Sequence, residues 1–142
     1  MSVIRVLIVD DFEPWVRFIM TLLEDNHDIK IVATASDGLE AVEKACNLQP
    51  DLVLMDIGLP ALNGIDAARQ ITSLTPRAKI LFVSQYADPQ VVRTALGAGG
   101  RGYVVKSTGA QELLCAVEAV LLGKQYVSRR LNGFDLTETT DA

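Results

Sequence analysis

The chain has 142 residues, 49% of them hydrophobic, with 13 basic and 18 acidic side chains and a formal charge of −5. This length and apolar content fit one compact domain with a real core. The acidic balance leaves no basic face for gripping nucleic acid through its phosphates, and Arg129-Arg130 is too small a patch to change that. No apolar run reaches the length of a membrane span, and the N-terminus lacks the charged-then-apolar layout of a signal peptide, so a soluble cytoplasmic protein is expected. Cys46 and Cys115 have no CxxC spacing and the chain holds one histidine, which speaks against a zinc site. Both thiols are read as reduced, small and core-facing. His27, between a helix and a strand, is read as solvated surface.

A first strand is expected from Ile4 to Val9, ending at Asp10-Asp11. A helix follows from Pro14 to about Asp25, with the proline in its first turn and Trp15, Ile19, Leu22 and Leu23 recurring on its buried face. Strand two alternates Ile29, Ile31, Ala33 and Ala35 with other residues, the mark of a half-covered edge strand. Helix two runs from Asp37 to about Leu48, with Asp37 and Glu40 spaced as a capping box. Strand three, Leu52-Val53-Leu54-Met55, is continuously apolar and ends at Asp56. Asn63 is a natural N-cap for helix three.

Strand four, Ile80-Leu81-Phe82-Val83, ends at Ser84, and Asp88-Pro89 opens helix four, which Ala98-Gly99-Gly100 closes. A short strand five, Tyr103-Val104-Val105, ends at Lys106. Thr108 and Gln111 are spaced as a capping box for helix five, whose core stripe is Leu113, Val117, Val120 and Leu121 and whose stop is Gly123. The expected division is a domain over 1–123 and a polar tail over 124–142.

Five βα units predict an α/β fold, a flavodoxin-like, doubly wound five-stranded parallel sheet of order 2-1-3-4-5 with five helices. Right-handed crossovers put helices one and five on one face and helices two, three and four on the other. Strands one and three then meet at the topological switch point, which sets Asp10, Asp11 and Asp56 side by side.

Each of those residues has an ordinary explanation taken singly. Asp10 and Asp11 suit the start of a helix, Asp56 suits a turn, Ser84 suits a local backbone bond, and Lys106 suits a solvated strand end. Joint placement at four strand ends favours function. Two unit charges about 5 Å apart repel by roughly 3 kcal/mol at an effective dielectric of 20. One ammonium cannot neutralise three carboxylates, whereas a hard divalent ion such as Mg²⁺ can. In this reading Asp56 is the nucleophile toward a phosphoryl group and Asp11, with Asp10 more remote, holds Mg²⁺. Lys106 and Ser84 contact the remaining phosphoryl oxygens, and the Ile57 carbonyl is a further metal ligand.

Asp10-Asp11, the LMDIGLPALNG stretch around Asp56, FVSQ with Ser84, and GGRGYVVKS with Lys106 closely resemble a response-regulator receiver domain of two-component signalling, of the NarL/FixJ type, over the start of the chain to about Val127. The resemblance implies that a sensor histidine kinase phosphorylates Asp56, with Mg²⁺ on Asp10, Asp11, Asp56 and the Ile57 carbonyl. It also implies a switch pair, Ser84 and Tyr103, and a domain that catalyses only its own phosphorylation and dephosphorylation. Such receivers usually precede a helix-turn-helix domain, so a fragment of a transcription regulator is the first alternative. Gly58 and Tyr86 stand at positions that tune phosphoryl lifetime in such domains. Output is expected through a partner or a phosphorylation-dependent homodimer.

Three other readings rank lower. A small aspartyl-phosphate phosphatase would want a cap longer than the 57–63 loop. A nucleotide or flavin binder would want a Gly-rich loop where Asp10-Asp11-Phe12-Glu13 stands. A pseudo-receiver would not need the intact acidic set.

Overall fold

A computed structural model describes residues 3–128 and Leu131. Strand β1 (Ile4–Val9) leads to α1 (Glu13–Glu24), β2 (Ile29–Ala35), α2 (Gly38–Leu48), β3 (Leu52–Met55) and α3 (Gly64–Leu74). Then come β4 (Lys79–Ser84), α4 (Pro89–Gly97), β5 (Gly100–Val105), a single 3-10 turn (Lys106–Thr108), α5 (Gly109–Leu121) and β6 (Tyr126–Val127). The sheet order is β2-β1-β3-β4-β5-β6, and every recorded pairing is parallel.

The expected flavodoxin-like order is present, with one strand more than the five expected. Tyr126–Val127 pairs with Gly102–Tyr103 at the β5 edge, inside the stretch read as polar tail. A two-residue strand is too short to show a period of two in sequence. Arg129, Arg130 and the rest of that stretch except Leu131 lie outside the described residues.

The continuous apolar runs of β1, β3 and β4 are buried on both faces, as parallel strands covered by helices must be. Strand β2 is mostly half-buried and stands at the sheet edge. One core layer joins Leu7, Val53, Ile80 and Tyr103 to Ala41 and Ala45 of α2, Ala67 and Ile71 of α3, and Val92 and Ala95 of α4. The other joins Ile8, Leu54 and Val104 to Ile19 and Leu23 of α1 and Leu113 and Val117 of α5. The helices thus divide between the faces as right-handed crossovers require.

Local signals hold in three helices and fail in one. Asp37 accepts the Glu40 N–H at 2.7 Å, Asn63 accepts the Asp66 N–H at 2.9 Å, and Asp88 accepts the Gln90 N–H at 2.7 Å. Thr108 makes no side-chain cap; its hydroxyl turns instead to the Val105 carbonyl at 3.3 Å and to Glu112, so the expected capping box with Gln111 does not form. Strand β5 is longer than expected because Gly100, read as the end of α4, already lies in it. A Cβ at Gly100 would meet the Phe82 ring at 2.7 Å. Cys115 is exposed rather than core-facing, since Leu113, Ala116, Val117 and Val120 occupy the buried stripe of α5; Cys46 is half-buried, and both thiols are free. His27 is exposed. Among the described residues, no helix is long and apolar enough to cross a membrane.

Candidate functional site

The site forms where β1 and β3 end as neighbours, with Val9 paired to Met55. The backbone holds this edge closely: the Asp56 N–H donates to the Val9 carbonyl at 3.0 Å and the Asp10 N–H to the Ala35 carbonyl at 3.0 Å. Asp10, Asp11 and Asp56 offer carboxylate oxygens that all lie within 4.8 Å of one another. Asp10 and Asp56 are buried and Asp11 is exposed.

Lys106, released by β5, reaches across to this group. Its Nζ lies 2.7 Å from Asp10 Oδ2 and 3.2 Å from Asp56 Oδ2. The other oxygens of these carboxylates are also engaged: Asp10 Oδ1 accepts the Phe12 N–H at 2.8 Å and Asp56 Oδ1 accepts the Ile57 N–H at 2.7 Å. Burial raises the pKa of Asp10 above the usual carboxylate value, and the Asp56 charge adds to this; the bonds from Lys106 and Phe12 oppose it. Such a carboxylate gains from a further cation. Three hard oxygen donors around one point fit Mg²⁺ in both charge and ligand type.

Asp11, Asp56 and Lys106 also line one cleft of about 520 Å³ with Phe12, Gly58 and Tyr86. The expected set is therefore largely brought together, with two differences in detail. The Ile57 carbonyl, expected as a metal ligand, accepts the Leu59 N–H and the Gly64 N–H, both at 2.8 Å. Both its lone pairs are thus engaged by backbone N–H groups of its own loop. Ser84 is fully buried at the end of β4, and its oxygen accepts the Tyr86 N–H at 3.3 Å.

Tyr103 lies inside the domain, with 0% exposure, and its hydroxyl donates to the Tyr86 carbonyl at 2.7 Å. Burial pushes its pKa up to about 12.

Three residues that shape the site were not read as functional from sequence. At Gly64 a Cβ would lie 1.8 Å from the Asp56 carbonyl oxygen, so only glycine lets α3 begin against the residue that carries the site. Trp15, read as part of the α1 core stripe, is half-buried and lies beneath Lys106, with Nζ 5.3 Å from its ring centroid. Glu112, in the first turn of α5, is buried and accepts from Thr108, from Ser128 and, at 2.9 Å, from Tyr126. A glycine directly after an N-cap and a tryptophan one turn from an acidic pair were the available signals. Glu112 gave none, because acidic residues are common in a first helical turn.

The family model of the response regulator receiver domain matches residues 6–118. The chain belongs to that family. This receiver is 35% identical over 135 residues to the transcriptional regulatory protein LnrK of Bacillus subtilis, covering 95% of this chain and 61% of that protein. It is 34% identical to the response regulator GacA of Pseudomonas viridiflava, over 90% of this chain and 60% of that one. The receiver thus spans about three fifths of these relatives' length.

Among solved structures, a LuxR-family two-component response regulator from Aurantimonas superposes with a TM-score of 0.89 at 32% identity, covering 99% of this chain and 100% of that one. The response regulator domain of Thermotoga maritima CheB gives 0.78 at 33% identity, over 84% and 97%. The chain is accordingly a receiver domain of two-component signalling, and it carries the acidic cluster at which receivers bind Mg²⁺.

Proposed function

We propose that Asp56 is the phosphoryl acceptor of this receiver and that a sensor histidine kinase is the donor. The observation that carries this is Lys106 bridging Asp10 and Asp56 beside the exposed carboxylate of Asp11. An Asp56 carboxylate oxygen attacks phosphorus as the bond to the donor's imidazole nitrogen breaks, and the imidazole leaves with a proton. Transfer of this kind depends on positioning and charge neutralisation. Lys106 moves from its carboxylate partners to a phosphoryl oxygen, and the buried Ser84 hydroxyl donates to another. Mg²⁺ bound by Asp11, Asp56 and Asp10 supplies the positive charge that offsets the phosphoryl oxygens.

In this reading Ser84 and Tyr103 form the switch. Both are buried and both bond to Tyr86, so pulling Ser84 toward a phosphoryl group disturbs the loop that holds Tyr103. The domain catalyses only its own phosphorylation and dephosphorylation, within the cytoplasm. The receiver unit of residues 1–123 is extended by Tyr126–Val127, which adds a strand beside β5. Output passes through a partner or a second copy, and the exposed Phe18 and Met20 on α1, Leu114 on α5 and Leu122 just past it favour that face. A following helix-turn-helix domain would make the output transcriptional, a reading favoured by the longer regulatory relatives.

The test is incubation with acetyl phosphate in Mg²⁺ or in EDTA, read by intact mass. A phosphoryl adduct that needs Mg²⁺ and disappears in Asp56→Asn supports the reading. An adduct that persists in Asp56→Asn overturns it.

A further inference from the structure

Trp15 is the only tryptophan in the chain, and the transfer chemistry above gives it no role. Its indole lies beneath the Lys106 ammonium, 5.3 Å from ring centroid to Nζ. The start of α5 is shaped to the ring: a Cβ at Gly109 would come within 3.0 Å of Trp15 Cη2. The indole Nε1 is buried with no hydrogen-bond partner among the described residues. A tryptophan serving packing alone carries that unsatisfied donor at a cost phenylalanine or leucine would avoid. What indole offers beyond them is the strongest π face for a cation.

From this geometry we infer that Trp15 is a positioning residue for phosphoryl transfer, acting through Lys106. The inference rests on the receiver chemistry proposed for Asp56. An ammonium has three donors on a flexible stem, and two carboxylates, Asp10 and Asp56, contact this one. The indole face contacts the same ammonium and holds it at the carboxylates, where an incoming phosphoryl oxygen meets it. Lysine freed from the ring spends more of its time in other rotamers, and fewer encounters with donor find the site assembled.

The test compares Trp15→Leu, which keeps an apolar side chain, with Trp15→Phe, which keeps a π face, in the full chain. The expected result is that Trp15→Leu slows phosphorylation of Asp56 by acetyl phosphate about fivefold or more, the scale a partly desolvated cation–π contact supports. Trp15→Phe recovers most of the rate. In a Lys106→Met background, Trp15→Leu adds no further loss, the signature of two residues acting as one. A Trp15→Leu protein that folds and reacts at the wild-type rate overturns the inference, as does an equal further loss in the Lys106→Met background. Should Trp15→Leu not fold, the Lys106→Met single variant decides by fluorescence. Loss of the ammonium must shift the emission of the sole tryptophan, and an unchanged spectrum overturns the contact. A wild-type chain that takes no phosphoryl group on Asp56 would instead sink the receiver chemistry itself.

Discussion

The Tyr103 hydroxyl donates to the Tyr86 carbonyl oxygen at 2.7 Å, fastening β5 to the loop that leaves β4. Burial holds this phenol's pKa at about 12 against an ordinary value of 10.0. In the unfolded chain the proton leaves near the ordinary value, while the folded chain keeps it. Tyr103 therefore contributes its full stability below about pH 10 and loses it as pH rises toward about 12. Denaturant unfolding at pH 9 and pH 11 should show a loss, up to about 1 kcal/mol per pH unit in that window, that is reduced in Tyr103→Phe. At neutral pH, Tyr103→Phe should cost about 1 kcal/mol for the lost hydrogen bond. A pH dependence identical to wild type would place the phenol outside the core.

Gly64→Ala should be severe. The new Cβ would lie 1.8 Å from the Asp56 carbonyl oxygen and 2.9 Å from the Ile57 Cα, and neither backbone atom can swing aside as a side-chain end can. We expect a loss of about 3 kcal/mol or more in urea unfolding, with Asp56 displaced in the molecules that still fold. Gly97→Ala, in α4 with nothing near its Cβ position, is the matched control. It should stabilise the fold by about 0.5–1 kcal/mol.

Asp11→Ala should weaken Mg²⁺ binding sharply, because Asp11 is the exposed carboxylate of the cluster while Asp10 is bonded to Lys106 and Phe12. The fluorescence of Trp15, in the same cleft, supplies the titration signal. The fold should be unaffected, since an exposed carboxylate leaves no buried partner unpaired.

Beryllofluoride, as a phosphoryl mimic, should move the protein from monomer toward dimer in sedimentation velocity. The exposed apolar side chains of α1 and α5 supply surface for this, and a bias of about 1.4 kcal/mol shifts such an equilibrium tenfold. A monomer that persists at high concentration with the site occupied would assign the output to a different partner.

The four strand ends were legible because buried parallel strands are continuous apolar runs, and each of these stops at a polar residue: Asp10, Asp56, Ser84 and Lys106. The strand order then brought distant residues to one edge. What stayed hidden depended on groups that side-chain patterns do not encode. The Ile57 carbonyl is claimed by two backbone N–H groups of its own loop. The Glu112 carboxylate finds partners at Tyr126 and Ser128, separated from it by 14 and 16 positions, in a segment whose strand has only two residues. Thr108, placed at a correct cap position, gives its hydroxyl to that carboxylate network instead.

The account turns on one atom group, the carboxylate of Asp56. Acetyl phosphate and Mg²⁺ followed by borohydride reduction converts an acyl phosphate into a stable alcohol, which peptide mass spectrometry locates by residue. The prediction is conversion of Asp56 alone, abolished by EDTA and greatly reduced in Lys106→Met. Conversion at Asp10 or Asp11, or at no carboxylate while the intact protein carries a phosphoryl group, would contradict it.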